Sequence, residues 1–160
     1  MSLCRVLVID DNTHIHRDFC KIVDTFERTA SWSALAFDPL AGSPPPRARE
    51  FDVTCAESGE VALELVTAAL TRNMPFQVAF VDMRMPGWDG LVTVEKLWRV
   101  QPELEIAISS AYMDYSWNTI TGRLQRPGLR LVPKPWKGSE IVAALHELRG
   151  RARQRTTRPH

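Results

Sequence analysis

The sequence predicts an α/β fold, a parallel sheet covered by helices on both faces. Three observations predict it. Five short apolar runs alternate with segments of helical spacing. The first run, CRVLVI, is β-branched, as a strand buried on both faces requires. Asp10, Asp11, Asp82, Ser109, Ser110 and Lys134 all stand at or just past the carboxyl ends of these runs. Open parallel sheets bind their ligands at that edge. The 160 residues suit one domain with a full core of its own.

The elements follow in order. Residues 4–9 form the first strand. After Asp10, Asp11 and Asn12, apolar residues recur at Ile15, Phe19, Ile22, Val23 and Phe26, which is helical spacing. FDVTCA at 51–56 is the second strand. Ser58 and Gly59 open the next helix, whose Val61, Leu65, Val66 and Ala69 share a face. PFQVAFV at 75–81 is the third strand, ended by Asp82. Leu91, Val94, Leu97 and Trp98 mark a third helix that stops near Pro102. LEIAIS at 104–109 is the fourth strand, a helix is expected around 115–125, and LRLV at 129–132 is the fifth strand. Ile141, Val142, Leu145 and Leu148 give a final amphipathic helix.

Two stretches fall outside this alternation. Residues 30–49 exceed an ordinary helix-to-strand loop, and their Pro-rich second half reads as irregular. SWSALAF at 31–37 either extends the first helix or packs as a short turn. The domain is expected over 1–149. The basic stretch at 150–160 reads as a disordered tail, because it lacks apolar periodicity.

The totals exclude several classes. Hydrophobic residues make up 44% and charged residues 24%, as in a soluble globular chain. The net charge of +1 gives no global bias toward nucleic acid or membrane. No segment reaches the ~20 apolar residues of a membrane helix. The start lacks the core and cleavage site of a secretory signal, so the cytoplasm is the expected location. Cys4, Cys20 and Cys55 form no CxxC pair and read as thiols in a reducing compartment.

The polar residues at the strand ends define a chemistry. Crowded carboxylates repel one another and call for a cation. Oxygen ligands without His or Cys suit Mg²⁺, which readily takes phosphate oxygens. A lysine and a hydroxyl beside them suit the other oxygens of a phosphoryl group. A strand-end carboxylate can itself be the nucleophile and form an aspartyl-phosphate. Asp82 is the candidate for that role.

The segments VLVIDDN, VAFVDMRMPGWDG, ISSAY and PKPW together resemble the receiver domain of two-component response regulators over roughly residues 4–149. The resemblance implies a doubly wound, flavodoxin-like sandwich with strand order 2-1-3-4-5. It implies that Asp82 is the phosphoacceptor. Asp11 and Asp82 would bind Mg²⁺ directly, Asp10 through water, and the backbone carbonyl of Arg84 would be a further ligand. Ser110 would bind a phosphoryl oxygen, Lys134 would pair with the phosphoryl group, and the Lys134–Pro135 bond would be cis. The donor would be a histidine kinase or a histidine phosphotransfer protein. The output surface would be the helix 4, strand 5 and helix 5 face. The long segment after the first helix and DYSW at 114–117 resemble a narrower subgroup of such receivers.

One departure stands out. The family carries Tyr or Phe three residues before the lysine, and this chain has Leu131. Signalling is therefore expected to run through the loop of Tyr112, Tyr115 and Trp117 instead. Each residue also has a plainer reading. Asp10 and Asp11 alone would be a helix cap, MPGWDG a turn, Ser110 an ordinary strand end and Lys134 a solvated charge; their joint spacing carries the inference. His14 and His16 read as solvent-facing. The tryptophans at 88, 98, 117 and 136 read as packing. Alternatives are a receiver-like interaction module that works without phosphorylation, and a haloacid-dehalogenase-type phosphatase. The latter needs a second acid where Arg84 stands. A flavodoxin is disfavoured because DDNTHIH is not a Ser/Thr/Gly phosphate loop.

Overall fold

The computed structural model describes residues 2–33, 48–111 and 116–157. The chain alternates strand and helix: β1 (Cys4–Ile9), α1 (Thr13–Ser33), β2 (Phe51–Ala56), α2 (Gly59–Thr71), β3 (Val78–Asp82), α3 (Gly90–Val100), β4 (Glu105–Ser110), α4 (Trp117–Leu124), β5 (Arg130–Pro133) and α5 (Gly138–Thr156). The strands form one parallel sheet in the order β2-β1-β3-β4-β5, as the resemblance implied.

Strand alternation divides the core into two layers. Leu7, Ile9, Ala79, Val81, Ile106 and Ile108 face α2, α3 and α4, where Ala62, Val66, Leu91, Val94, Leu97 and Ile120 meet them. Val6, Val8, Val78, Phe80, Ala107 and Val132 face α1 and α5, against Phe19, Val23, Ile141, Ala144, Leu145 and Leu148. Asp82 and Ser109 continue the second set, so both belong to the α1–α5 face of the sheet. They are also neighbours, because Asp82 pairs with Ser109 in the β3–β4 register.

Local sequence sets the helix starts. Ser58 caps α2 by accepting the Val61 N–H at 3.1 Å. Asp89 caps α3 by accepting the Val92 N–H at 2.9 Å. The two helices then pack closely: a Cβ on Gly59 would lie 2.2 Å from Thr93 Oγ1. Cys4, Cys20 and Cys55 are free thiols, and burial pushes Cys4 up to about 11. No helix among the described residues is long and apolar enough to cross a membrane.

Several expectations need correction. β3 begins at Val78, later than its apolar run suggests. Pairing with β1 starts there, and Gln77 just before it is used as a plug: its Oε1 accepts the Arg5 N–H at 2.6 Å. The stretch 150–160 is not a disordered tail as far as Thr156, because α5 runs through it. Side-chain contacts hold this part without an apolar stripe. Arg155 Nε lies 2.6 Å from Oε1 of the buried Glu105, and Ala152 packs down at 9% exposure. His16 is buried, not solvent-facing, because it shares the α1 stripe of Phe19 and Val23. Trp117 is exposed, whereas the Trp98 indole packs and donates to the Leu104 carbonyl at 2.9 Å. SWSALAF extends α1 as far as Ser33. Its remainder, the Pro-rich stretch and the loop of Tyr112 and Tyr115 lie outside the described residues.

Candidate functional site

The site lies at the carboxyl edge of the sheet, across two central strands, β1 and β3, and the edge strand β5. β1 delivers Asp10 and Asp11, β3 delivers Asp82, and β5 delivers Lys134. Asp10 and Asp82 are 2% and 6% exposed, while Asp11 is exposed. Each of the three acids has a carboxylate oxygen within 4.8 Å of the others. Lys134 Nζ stands between two of them, 2.6 Å from Asp10 Oδ2 and 3.1 Å from Asp82 Oδ1. The other oxygen of Asp10 accepts the Asn12 N–H at 2.9 Å, so Asp10 is held from both sides.

The turn that follows Asp82 is built on glycine. Gly87 adopts φ +74°, the left-handed region that L side chains avoid. At Gly90 an added Cβ would fall 2.5 Å from the Asp82 carbonyl oxygen and 2.8 Å from Met83 Cα. Glycine at that position lets the start of α3 press against the strand end that bears Asp82. The motif therefore sets the carboxylate on a rigid base.

Burial pushes the Asp82 carboxyl up to about 6, and repulsion from Asp10 and, more weakly, Asp11 adds to it. Attraction to Lys134 works the other way and does not cancel the rise. Burial alone would lower the Lys134 ammonium, but its contacts with Asp10 and Asp82 hold it above its ordinary value. The site is thus short of positive charge. It has one ammonium for three carboxylates, and all its acidic donors are hard oxygens, the donor set that suits Mg²⁺.

The other expected residues fall nearby. Ser110 ends β4 and is 6% exposed; its hydroxyl donates to the Ala111 carbonyl at 3.0 Å. Arg84 is exposed, two residues past Asp82, on a shallow cleft with Met83, Met85, Pro86 and Asp89. The Lys134–Pro135 bond is cis. Leu131 lies on β5 and is 39% exposed. Two residues take part that sequence reasoning did not assign. Asn12 donates its N–H to Asp10, and Trp136 Nε1 donates to Ser109 Oγ at 2.8 Å. An Asn after an acid pair is a visible turn signal; nothing in the sequence reveals the Trp136 bond.

A five-stranded 2-1-3-4-5 sheet with acids and a lysine at its carboxyl edge defines a receiver-type α/β domain. The family model described as the response regulator receiver domain matches residues 47–146, and the chain belongs to that family. That match begins at residue 47, near the end of the long segment before β2. The acid pair of β1 therefore joins the site through the fold rather than through the matched stretch. The DNA-binding transcriptional regulator NtrC of Klebsiella pneumoniae is 33% identical over 90 residues, 56% of this chain and 18% of that regulator. Among solved structures, a two component transcriptional regulator AraC from Clostridium phytofermentans ISDg aligns with TM-score 0.70 and 25% identity, over 98% of this chain and 100% of that one. A CheY-like receiver domain protein from Methanospirillum hungatei JF-1 shares the fold at TM-score 0.67 and 18% identity, over 96% and 99% of the two chains.

Proposed function

We infer that this domain is a phosphorylation switch that accepts a phosphoryl group on Asp82 from the phosphohistidine of a histidine kinase or phosphotransfer protein. The observation that carries this reading is the Asp82 carboxylate. It is almost fully buried, 3.1 Å from Lys134, and grouped with Asp10 and Asp11. In transfer, an Asp82 oxygen attacks phosphorus and the bond to the donor breaks. Lys134 holds an oxygen of the incoming group and offsets its charge. Ser110 turns its hydroxyl from the Ala111 carbonyl toward another phosphoryl oxygen. Asp10, Asp11, Asp82 and the carbonyl of Arg84 would hold Mg²⁺, which when bound neutralises the charge that builds up on the phosphoryl oxygens.

A cleft of about 680 Å³ opens beside the site, between Ile15, Asp18, Lys21 and Ile22 of α1 and the Lys134–Trp136 loop. Its position suits a partner that brings a phosphohistidine to Asp82. Output would pass to a protein target through the α4–β5–α5 face in the cytoplasm, by a shift in conformational population. The domain acts as an acceptor in signalling and not as a turnover enzyme. Exposed Leu131, in the place of the family's aromatic, favours a second reading, an interaction module that needs no phosphorylation.

One experiment separates the two. The protein is incubated with acetyl phosphate and Mg²⁺ and its intact mass is measured. A gain of one phosphoryl group, absent in Asp82→Asn, supports the switch. A gain that persists in Asp82→Asn rejects Asp82 as acceptor, and no gain in the wild type favours the interaction module.

A further inference from the structure

Lys134 has weak support from its own strand. β5 is an edge strand, and of its four residues only Val132 is buried. Pro133, next to the lysine, has no N–H to give a partner. One backbone bond, from the Lys134 N–H to the Ser110 carbonyl at 3.0 Å, ties the lysine to β4. A lysine side chain loses considerable rotamer entropy when it is held in one place. Yet Lys134 meets both Asp10 and Asp82 at short range.

Trp136, two residues further on, supplies the missing anchorage. Its Nε1–H donates to Ser109 Oγ at 2.8 Å, and Ser109 is 1% exposed. Its ring meets Phe19 of α1 edge-on at 5.7 Å. Phe19 in turn meets Phe80 edge-on at 4.9 Å, and Phe80 lies on β3 just before Asp82. Lys134 Nζ lies 5.9 Å from the indole centroid. Ser109 is the β4 neighbour of Asp82 on the same face of the sheet. The indole therefore fastens the lysine's loop to the strand beside the acceptor and, through Phe19, to the acceptor's own strand. Packing alone would need a ring; the bond to a buried hydroxyl needs the indole N–H.

We propose that Trp136 is the positioning residue for Lys134, and that its hydrogen bond to Ser109 sets the distance between that lysine and Asp82. This rests on the reading of Asp82 as phosphoacceptor and names the part that aligns it. The step it serves is the formation of the Asp82 oxygen–phosphorus bond, while the phosphorus–nitrogen bond of the donor phosphohistidine (or the phosphorus–oxygen bond of acetyl phosphate) breaks and its electron pair leaves with the donor atom. Trp136 itself touches no reacting atom.

The test measures the rate of labelling by acetyl phosphate with Mg²⁺, by intact mass, in a set of variants. Trp136→Phe keeps the ring and removes the N–H; Ser109→Ala removes the acceptor and is the milder change. Each should slow labelling about five- to tenfold, the rate equivalent of one hydrogen bond. The double variant should be no slower than either single one, because both remove the same bond. In a Lys134→Ala background, Trp136→Phe should have no further effect, since the tryptophan acts through the lysine. Two results would overturn the proposal. One is wild-type rates in both Trp136→Phe and Ser109→Ala. The other is an equal slowing by Trp136→Phe with and without Lys134, which would make it a packing residue only. A wild-type protein that takes no label at all overturns the reading of Asp82, and this inference with it.

Discussion

The charge imbalance at Asp82 predicts that the protein is less stable because of its own acceptor. Asp82→Asn removes the ionisable group and keeps its shape. The native carboxyl ionises near pH 6, whereas its ordinary value is 3.8. Between those values the native state binds more protons than the unfolded chain, so stability falls as pH rises through the window. At about 1.4 kcal/mol per pH unit, the full loss is about 3 kcal/mol. Asparagine suffers no such loss. The variant should match the wild type near pH 4 and exceed it by up to about 3 kcal/mol above pH 7. In a chain of this size that is roughly 6–12 °C in melting temperature. Urea denaturation from pH 4 to pH 8, with chelator present throughout, reads the difference directly. A gap that is independent of pH, or a variant weaker than wild type at pH 7.5, would refute the argument that burial and Asp10 dominate over Lys134.

Three further outcomes are expected. Lys134→Met should slow labelling of Asp82 by acetyl phosphate at least tenfold. It should also destabilise the protein by roughly 3 kcal/mol in urea denaturation, because Asp10 stays buried without its partner. Gly59→Ala should cost about 1–3 kcal/mol through its clash with Thr93, and Thr93→Ala should recover part of that; thermal melting of the three variants decides. Deleting everything after Arg149 should destabilise by roughly 2 kcal/mol, since Glu105 loses Arg155; Glu105→Gln in the shortened chain should restore part of it, and unchanged melting would return 150–160 to the status of a tail.

The sequence speaks most clearly where a residue's place follows from its own strand. Asp10, Asp82 and Ser110 sit at ends of apolar runs, and in a parallel sheet those ends share an edge, so the acidic cluster was legible without coordinates. Alternation even puts Ser109 on the face of Asp82. What it could not reveal depends on pairing across the fold. The Trp136–Ser109 bond joins residues on separate elements, and no periodicity marks it. α5 past Gly150 was hidden for a related reason. Its hold on the domain comes from Arg155 meeting Glu105 on β4, an ionic contact that a search for apolar stripes passes over. His16 misled because a polar side chain at a helix start is ordinarily wet, whereas here it shares the stripe of Phe19. Leu131 showed a departure in the sequence, and the exposure of its side chain was visible only in the fold.

The position of β1 has a consequence for how the protein is made. Among the described strands it is the first of this domain to be made, yet it is a central strand of the sheet, flanked by β2 and β3. A ribosome that adds about 5–20 residues per second reaches Asp82 roughly 4–15 s after it has made Ile9. Through that interval CRVLVI has at most one neighbour, although both its faces and both its edges are destined for burial. Newly made chains should therefore expose a sticky, strand-prone segment until β3 emerges. Conditions that slow synthesis between α1 and β3 would lengthen that exposure and favour aggregation over folding.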